Sequence, residues 1–397
     1  MVLIESLHVF KPVLDKVTTS PARTIEKALA KALVHSLPDP GRLTFSDAGN
    51  AAVNCNNAGV WFTEAAATTC SLEEVNYLEH PLMIPKEELL PPTPPQEKER
   101  ELILLVQVTV FSCGGFVIGY RSSHAVADGT GAAQFMTVVG QLARGAEVIS
   151  IIEPQWSREL MPDPSSALAP VVIAGLPDPS CAKPLEYLAV DISADQIGRL
   201  KKQYNMAYGG VRCSAFDVVV AKAWQSRTRA VGFDADTIVH LCFAMNTRAL
   251  LRDMLPRGGA GFYGNSYYIM RVSATAGMVA RSSVTEVVRI IQEGKRRMPA
   301  EFARWAAGEM PVDVDPYRIT ADYRTLLVSD WTRLGFAEVD YGWGPPVHVV
   351  PLTNLSYVAT CILVRPSAHK TAGARLITQC ITADRVADFH QGMLDMS

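Results

Sequence analysis

Two apolar runs separated by a short turn are the feature that most restricts the fold of this chain. Residues 102–111 and 116–120 flank the tetrapeptide Ser112-Cys113-Gly114-Gly115, a combination typical of a β-hairpin. The hairpin leads into a loop at residues 121–131, and small and apolar residues at helical spacing follow it to about Arg144. The loop therefore joins a strand end to a helix start, where rigid elements can position a reactive side chain.

This loop contains His124, Asp128 and Gly129, which gives the pattern His-x-x-x-Asp-Gly. The His-x-x-x-Asp spacing alone is weak, because a chain with eight histidines has about a one-in-three chance of showing it by accident. His35 and Asp39 show the same spacing. Those two residues close a helical pattern with a proline and an Asp-Pro turn, so we interpret them as a helix exit.

Composition and charge limit the class of protein. The chain has 397 residues, 48% of them hydrophobic and 19% charged, which is ordinary for a globular protein of two or three domains. A net charge of −3 gives no basic field, so we expect neither a nucleic acid nor a membrane as a partner. Glu5 and His8 lie where a signal peptide would be apolar, and a cytoplasmic location is therefore expected. The eight cysteines have no zinc-binding spacing, and we expect free thiols and no metal.

Strand and helix patterns are mixed in both halves without strict alternation, which favours an α+β fold. From residue 145 to about 186 the sequence is rich in Pro, Ser and Ala, and a connection of this length usually links domains or crosses an active site. We therefore predict an N-terminal domain at residues 1–150, a crossover linker at 151–186 and a C-terminal domain at 187–397. Predicted strands comprise residues 2–10, 44–45, 60–63, 187–191, 239–245, 326–331, 356–364 and 374–381, and predicted helices include 24–34 and 383–394. Capping boxes predict three further helix starts: Ser193 with Gln196, Ser214 with Asp217, and Ser283 with Glu286.

Residues 259–264 match the dinucleotide-binding pattern G-x-G-x-x-G. The residues that follow, 265–269, have the pattern of a strand, whereas a dinucleotide site needs a helix there, so we predict no nicotinamide or flavin cofactor. The sequence also lacks the G-x-S-x-G of serine hydrolases and the H-E-x-x-H of zinc enzymes.

A second informative stretch contains Asp340, Tyr341, Gly342, Trp343 and Gly344, which alone would indicate a strand ending in a glycine-rich turn. Together with the His124 loop upstream, it resembles the BAHD acyltransferases of plants, whose signatures are HxxxD and DFGWG. Tyr341 replaces the usual phenylalanine of the second signature. Smaller similarities extend the resemblance over most of the chain, at residues 41–43, 213–217, 245–248 and 262–265.

The resemblance implies two similar-sized mixed-sheet domains of the chloramphenicol acetyltransferase-like type, joined by a long crossover loop. It implies an acyl-CoA co-substrate, no permanently bound cofactor, and a small-molecule alcohol or amine acceptor. The acyl group is expected to be hydroxycinnamoyl or another aromatic group, the setting plant specialised metabolism, and the protein a monomer.

The same resemblance assigns roles to residues of the two signatures. His124 is expected to be the general base, which suits an imidazole whose ordinary pKa is about 6.5, and no acyl-enzyme is needed. Asp128, next to Gly129, is expected to point away from the site and to pair with Arg248. Trp343 could donate its indole N–H to an oxyanion or serve only in packing. Its neighbours are expected to shape a loop: Asp340, Gly342 and Gly344.

Three residues are candidates for contacts with CoA. Ser214, at a predicted helix start, suits a pantetheine or phosphate group. Lys201 and Lys202 could meet the nucleotide phosphates, although such a lysine pair is more often a solvated helix face.

Two other functions remain open from the sequence. A condensation domain of non-ribosomal peptide synthesis shares His-x-x-x-Asp-Gly, but it usually has a second histidine where this chain has Ser123. A CoA- or metabolite-binding relative without catalysis is the other, and the intact His124 and Gly129 disfavour it.

Two junctions are shorter than the resemblance implies. Relatives carry a further stretch with a core strand before the first helix, whereas here residues 17–22 alone fill that place. Six residues cannot supply a strand of about five residues with turns at both ends. A similar contraction occurs at Thr353-Asn354. We predict that the natural protein is longer at both places; otherwise its first domain lacks a strand that relatives use.

Overall fold

The computed structural model describes residues 3–13, 15, 19–36, 41–46, 51–146, 155–162, 183–310, 323–352, 358–368 and 373–395. Within these residues, helices pack on two mixed β-sheets, each with a hydrophobic core of its own. This arrangement confirms the α+β class and the two mixed-sheet domains predicted from the sequence. Among the described residues, no helix has the length and apolar composition that a membrane span requires.

The first sheet is built around the predicted hairpin. The elements described in the first half are β1 (Leu3–Phe10), α1 (Pro21–Ser36), β2 (Arg42–Phe45), β3 (Ala51–Asn54), β4 (Trp61–Ala67), α2 (Lys86–Leu89), β5 (Leu104–Phe111), β6 (Phe116–Ser123) and α3 (Gly129–Ala143). Strands β5 and β6 are antiparallel, β1 pairs antiparallel with β6, and β4 pairs parallel with β5. Helix α1 packs on α3 and buries the face that carries Ile25, Ala28 and Ala32. The hairpin thus places the end of β6 at the start of α3.

The second sheet has the strand order β7-β13-β12-β10-β8-β9. The elements described in the second half are β7 (Leu188–Ser193), α4 (Ala194–Ala207), α5 (Ala215–Val231), β8 (Ile238–Asn246), β9 (Tyr267–Thr275), α6 (Ala276–Arg281), α7 (Val284–Ala306), β10 (Thr325–Asp330), β11 (His348–Pro351), β12 (Ala359–Val364), β13 (Gly373–Gln379) and α8 (Val386–Leu394). All three predicted capping boxes are present and begin α4, α5 and α7. Local sequence therefore located these helix starts correctly.

One strand of the second half belongs to the first sheet. Strand β11 pairs antiparallel with β1, with Leu7 opposite Val350, and forms the edge of that sheet. The segment before it, including Phe336, Tyr341 and Trp343, packs into the same core as β6 and α3. The predicted range 187–397 did not anticipate this exchange, and the domain boundaries stay a prediction.

Several local predictions differ from the structure. Strand β6 continues past the predicted end at Tyr120, because its last residues pair with β1 as far as Ser123 opposite Leu3. Strand β3 was not predicted, since its four residues have no alternating pattern; among the described strands it pairs with β2 alone. Helix α6 was missed because its six residues are too few to show a helical period. In the two short junctions, residues 17–18 and 353–354 lie outside the described ranges. Most residues of the predicted crossover linker, 151–154 and 163–182, also lie outside them.

Candidate active site

His124 lies in the turn between β6 and α3, and it is half-buried. Asp128 caps α3, because its carboxylate Oδ1 accepts the backbone N–H of Gly131 at 2.9 Å. The cap fixes the direction in which the helix leaves the turn. The turn is therefore held between a paired strand and a capped helix, as the sequence predicts.

Asp128 forms a bidentate salt bridge with Arg248, in the second half of the chain. Arg248 Nη1 donates to Asp128 Oδ2 and Nη2 donates to Oδ1, both at 2.9 Å. The backbone N–H of Ser266 donates to Oδ2 at 2.9 Å. Together with the cap, these contacts give each carboxylate oxygen two donors. The carboxylate is 7% exposed and has no remaining position for a substrate proton.

The remainder of the Arg248 guanidinium is also bound. Its Nε donates to the carbonyl of Phe262 at 3.1 Å, and Nη2 donates to the carbonyl of Gly264 at 2.8 Å. Arg248 thus fastens the turn of His124 to residues 262–264, which is the structural role predicted for the pair. The glycine-rich pattern at 259–264 supplies these carbonyls, and the strand predicted to follow it is present as β9.

Two residues contact His124, and neither was assigned a role from the sequence. Asn265 Nδ2 donates to the His124 carbonyl at 2.7 Å. The Tyr267 ring meets the imidazole edge-on, with centroids 5.6 Å apart and planes at 79°. Burial raises the pKa of Tyr267, and the nearby Asp128 charge adds to that effect, so its phenol stays protonated near neutral pH. Asn265 and Tyr267, just before and at the start of β9, thus hold the backbone of His124 and limit the orientation of its imidazole.

Glycines allow the two halves to approach at the turn. A Cβ on Gly131 would lie 1.8 Å from the backbone oxygen of Tyr263, so only glycine fits unless the backbone moves. A Cβ on Gly129 would lie 2.5 Å from Leu334 Cδ1, which is the end of a side chain that can rotate away. Gly131, which the sequence did not single out, is therefore the stricter requirement of the two.

Trp343 lies away from His124. It is 6% exposed, and its ring meets Phe116 edge-on with centroids 5.4 Å apart. Phe116 begins β6 and Ser123 ends it, and at about 3.3 Å per residue these ends are on the order of 20 Å apart. The indole N–H is therefore out of reach of an oxyanion near His124. Of the two roles left open by the sequence, the geometry supports packing and not catalysis.

Tyr341, the departure from the usual signature, has a matching partner. Its hydroxyl lies 2.6 Å from the hydroxyl of Tyr120, and both side chains are buried. Burial raises the pKa of both phenols, so the pair is neutral and one hydroxyl donates to the other. The extra hydroxyl at position 341 is thus satisfied inside the core.

The other residues of this signature form a loop. Asp340 Oδ1 accepts the backbone N–H of Gly342 at 2.6 Å and that of Gly344 at 2.9 Å. Both glycines have positive φ, at 104° and 80°, which favours glycine. Arg144, just beyond α3, donates to the Asp340 carbonyl. These contacts agree with the predicted loop-shaping role.

The candidate CoA contacts lie around the start of α5. The hydroxyl oxygen of Ser214 accepts the Asp217 backbone N–H at 3.1 Å. This contact leaves the hydroxyl proton of Ser214 able to donate to a ligand. Burial alone would raise the pKa of Asp217, but the Lys295 ammonium beside it lowers that pKa below its usual range. Ser214 is therefore held at a helix start next to a fixed ammonium group.

The two predicted lysines are both exposed on α4. Lys202 follows Lys201 directly on this helix. Burial raises the pKa of the Cys213 thiol, next to Ser214, to about 11. The CoA contacts of Lys201 and Lys202 stay predictions, and the same substitution at each of these adjacent positions allows a matched comparison.

Comparison with known sequences identifies relatives over the whole chain. Residues 1–396 match the model of a family described as the Transferase family. Acyl transferase 7 of Oryza sativa subsp. japonica is 63% identical over 100% of this chain and 91% of that protein. The alignment between the two proteins extends over 410 residues, more than the 397 of this chain. The Oryza sativa protein therefore has internal residues that this chain lacks. A myricetin 3-O-glucosyl 1,2-rhamnoside 6'-O-caffeoyltransferase, AT2 of Crocosmia x crocosmiiflora, is 40% identical over 95% of this chain and 88% of its own length.

Solved structures share the fold. Vinorine synthase has a TM-score of 0.71 at 20% identity, over 98% of this chain and 88% of its own. TRI101 of F. sporotrichioides, complexed with coenzyme A and T-2, has a TM-score of 0.70 at 15% identity, over 98% and 93%. These likenesses confirm the predicted chloramphenicol acetyltransferase-like fold.

Proposed function

The chain belongs to the BAHD family of plant acyl-CoA-dependent acyltransferases, and from this premise we propose the reaction that its site performs. The protein transfers a hydroxycinnamoyl or other aromatic acyl group from CoA to an alcohol or amine acceptor in plant specialised metabolism. The likeness to a relative named as a caffeoyltransferase supports the aromatic donor. A monomeric state and a cytoplasmic location stay predictions.

One observation carries the proposed mechanism. Of the two polar residues of the HxxxD signature, His124 and Asp128, only His124 is available to accept a proton. Asp128 has all its acceptor positions occupied by Arg248, Ser266 and Gly131. His124, by contrast, is half-buried at a strand end, with its backbone fixed by Asn265. An oriented imidazole at this position is suited to accept a proton from an acceptor hydroxyl or amine.

The proposed reaction proceeds through one tetrahedral intermediate. As His124 removes the proton, the acceptor oxygen or nitrogen forms a bond to the thioester carbonyl carbon. The C–S bond then breaks, and the proton on His124 is returned to the CoA thiolate, which leaves as the free thiol. No acyl-enzyme is formed. Burial raises the pKa of Cys213, near the proposed CoA contacts, to about 11, and the protonated thiol is a poor nucleophile.

The experiment that tests this function measures release of the CoA thiol. Caffeoyl-CoA, p-coumaroyl-CoA, benzoyl-CoA and acetyl-CoA are each supplied with a panel of alcohols and amines, and products are identified by mass spectrometry. We expect acceptor-dependent thiol release, with kcat/KM at least about tenfold higher for an aromatic donor than for acetyl-CoA, a difference of ~1.4 kcal/mol. Preference for acetyl-CoA would contradict the aromatic donor. Binding of acyl-CoA without any release would support the inactive relative instead.

Lys201 and Lys202 allow a matched test of the CoA contacts. If Lys201 meets a CoA phosphate, Lys201→Ala should raise KM for acyl-CoA by roughly fivefold, since an exposed ion pair contributes up to about 1 kcal/mol. The value of kcat should not change, and the difference from wild type should shrink as salt is added. Lys202→Ala, the same change on the next residue, should leave KM unaltered. Equal effects of the two changes would indicate a general surface field instead of a contact.

A further inference from the structure

The crossover linker contains a short described segment, residues 155–162, that is attached to the second half beside the active site. The backbone N–H of Gln155 donates to the Gly261 carbonyl at 2.9 Å, and Gln155 forms a β-bridge with Phe262. The Trp156 ring lies against the Tyr263 ring, with centroids 5.5 Å apart. This segment is therefore fixed to the same stretch, residues 261–264, that supplies carbonyls to Arg248.

Arg158 extends from this segment to the catalytic turn. Its guanidinium carbon lies over the Trp156 ring, 3.7 Å from the centroid. From that position Nη1 donates to the Ala125 carbonyl at 3.4 Å, and Nη2 donates to the Val126 carbonyl. A planar cation stacked on an aromatic ring keeps its donors in a fixed direction. The guanidinium thus contacts the two residues that follow His124.

Three consecutive carbonyls of the turn are therefore held by side chains from outside the first domain. Asn265 binds the carbonyl of His124, and Arg158 binds those of Ala125 and Val126. Fixing a carbonyl fixes the plane of its peptide, so few backbone rotations remain around the histidine. The direction of the imidazole consequently depends on the linker as well as on the second sheet.

A contribution to folding stability does not explain why a cationic residue occupies position 158. Arg158 is part-buried, and burial lowers its pKa. In the described part of the chain it has no carboxylate partner, and its buried Nε has no hydrogen-bond partner. An apolar side chain of similar length would pack on Trp156 without the free-energy cost of removing a charge from water. What the guanidinium adds is the contact with the two carbonyls.

We propose that Arg158 is a positioning residue for acyl transfer: stacked on Trp156, its guanidinium holds the Ala125 and Val126 carbonyls and thereby keeps His124 in its working direction. This inference rests on the proposed role of His124 as the base. It predicts that loss of Arg158 impairs the chemical step more than the binding of acyl-CoA, because Arg158 acts through the turn.

The test compares kcat, KM and folding for Arg158→Ala, with Arg252→Ala as control. Arg252 is 72% exposed, and its only described ion pair is with the adjacent Asp253. At a temperature where circular dichroism shows both variants folded, kcat of Arg158→Ala should fall about tenfold to a hundredfold, the range for a displaced catalytic group. KM for acyl-CoA should stay within about twofold, and Arg252→Ala should resemble wild type.

Chemical rescue separates positioning from a loss of fold. Millimolar guanidinium should restore several-fold activity to Arg158→Ala and none to His124→Ala. Arg158→Lys keeps the charge but lacks the planar fork, so it should stay at least about tenfold impaired, and it serves as the test if Arg158→Ala does not fold. A wild-type kcat in Arg158→Ala or in Arg158→Lys would overturn the inference, as would a defect confined to KM. If His124→Ala also keeps full activity, the proposed function itself fails.

Discussion

Replacing His124 with alanine is expected to lower kcat for acyl transfer by about two to four orders of magnitude, the range for loss of a positioned general base. The side chain is half-buried in a turn, and its described ring contact is with Tyr267, so little packing is lost. The melting temperature should therefore stay close to that of wild type. Thiol release measured alongside thermal melting by circular dichroism checks both parts of this prediction.

His35→Ala is the matched control, because it makes the same chemical change in the other His-x-x-x-Asp match of the chain. His35 belongs to the last turn of α1, as its reading as a helix exit predicts. Its replacement should leave the rate of acyl transfer near wild type. A large loss in His35→Ala, with activity retained in His124→Ala, would assign the general base to His35 instead of His124.

The sequence was informative wherever a structure depends on neighbouring residues. The hairpin, the turn of His124 and the three capping boxes depend on side chains within about four residues of one another, and all were located correctly. The Asp128–Arg248 pair spans 120 residues and was expected only through resemblance to a family. Asn265 and Arg158 had no local pattern to reveal them, because a donor to a backbone carbonyl can come from any part of the fold.

Trp343 and Tyr341 show why long-range placement could not be derived from the sequence. The signature that contains both identified the family, but its position relative to His124 depends on β11 joining the first sheet. That exchange sets the indole against Phe116, at the far end of β6. The Tyr341 hydroxyl is explained only by Tyr120, which lies 221 residues away in the chain. Nothing in the local spacing predicts either contact.

Asp128→Asn is expected to destabilise the protein and to lower its activity as a consequence. The amide removes the negative charge and turns one acceptor into an N–H donor that faces donors of Arg248 or Ser266. The Arg248 side chain is 11% exposed, so its charge would be left largely buried and uncompensated. Breaking a buried pair in this way costs about 3–5 kcal/mol in the free energy of unfolding. The melting temperature and kcat, measured on the same preparation, should both decrease.

Two further variants decide how this effect arises. Arg248→Met removes the cation with an apolar chain of similar length, and in the double variant with Asp128→Asn the combined loss should be clearly less than the sum of the single losses, because the two side chains interact directly. Glu301→Gln removes the charge from a solvent-accessible pair with Arg297, whose side chains are 53% (Arg297) and 29% (Glu301) exposed, and it should change stability little. Full thermal stability of Asp128→Asn together with lost catalysis would instead give Asp128 a direct part in the chemistry. The four donors around its carboxylate argue against that outcome, because every oxygen position that could receive a proton already accepts a hydrogen bond.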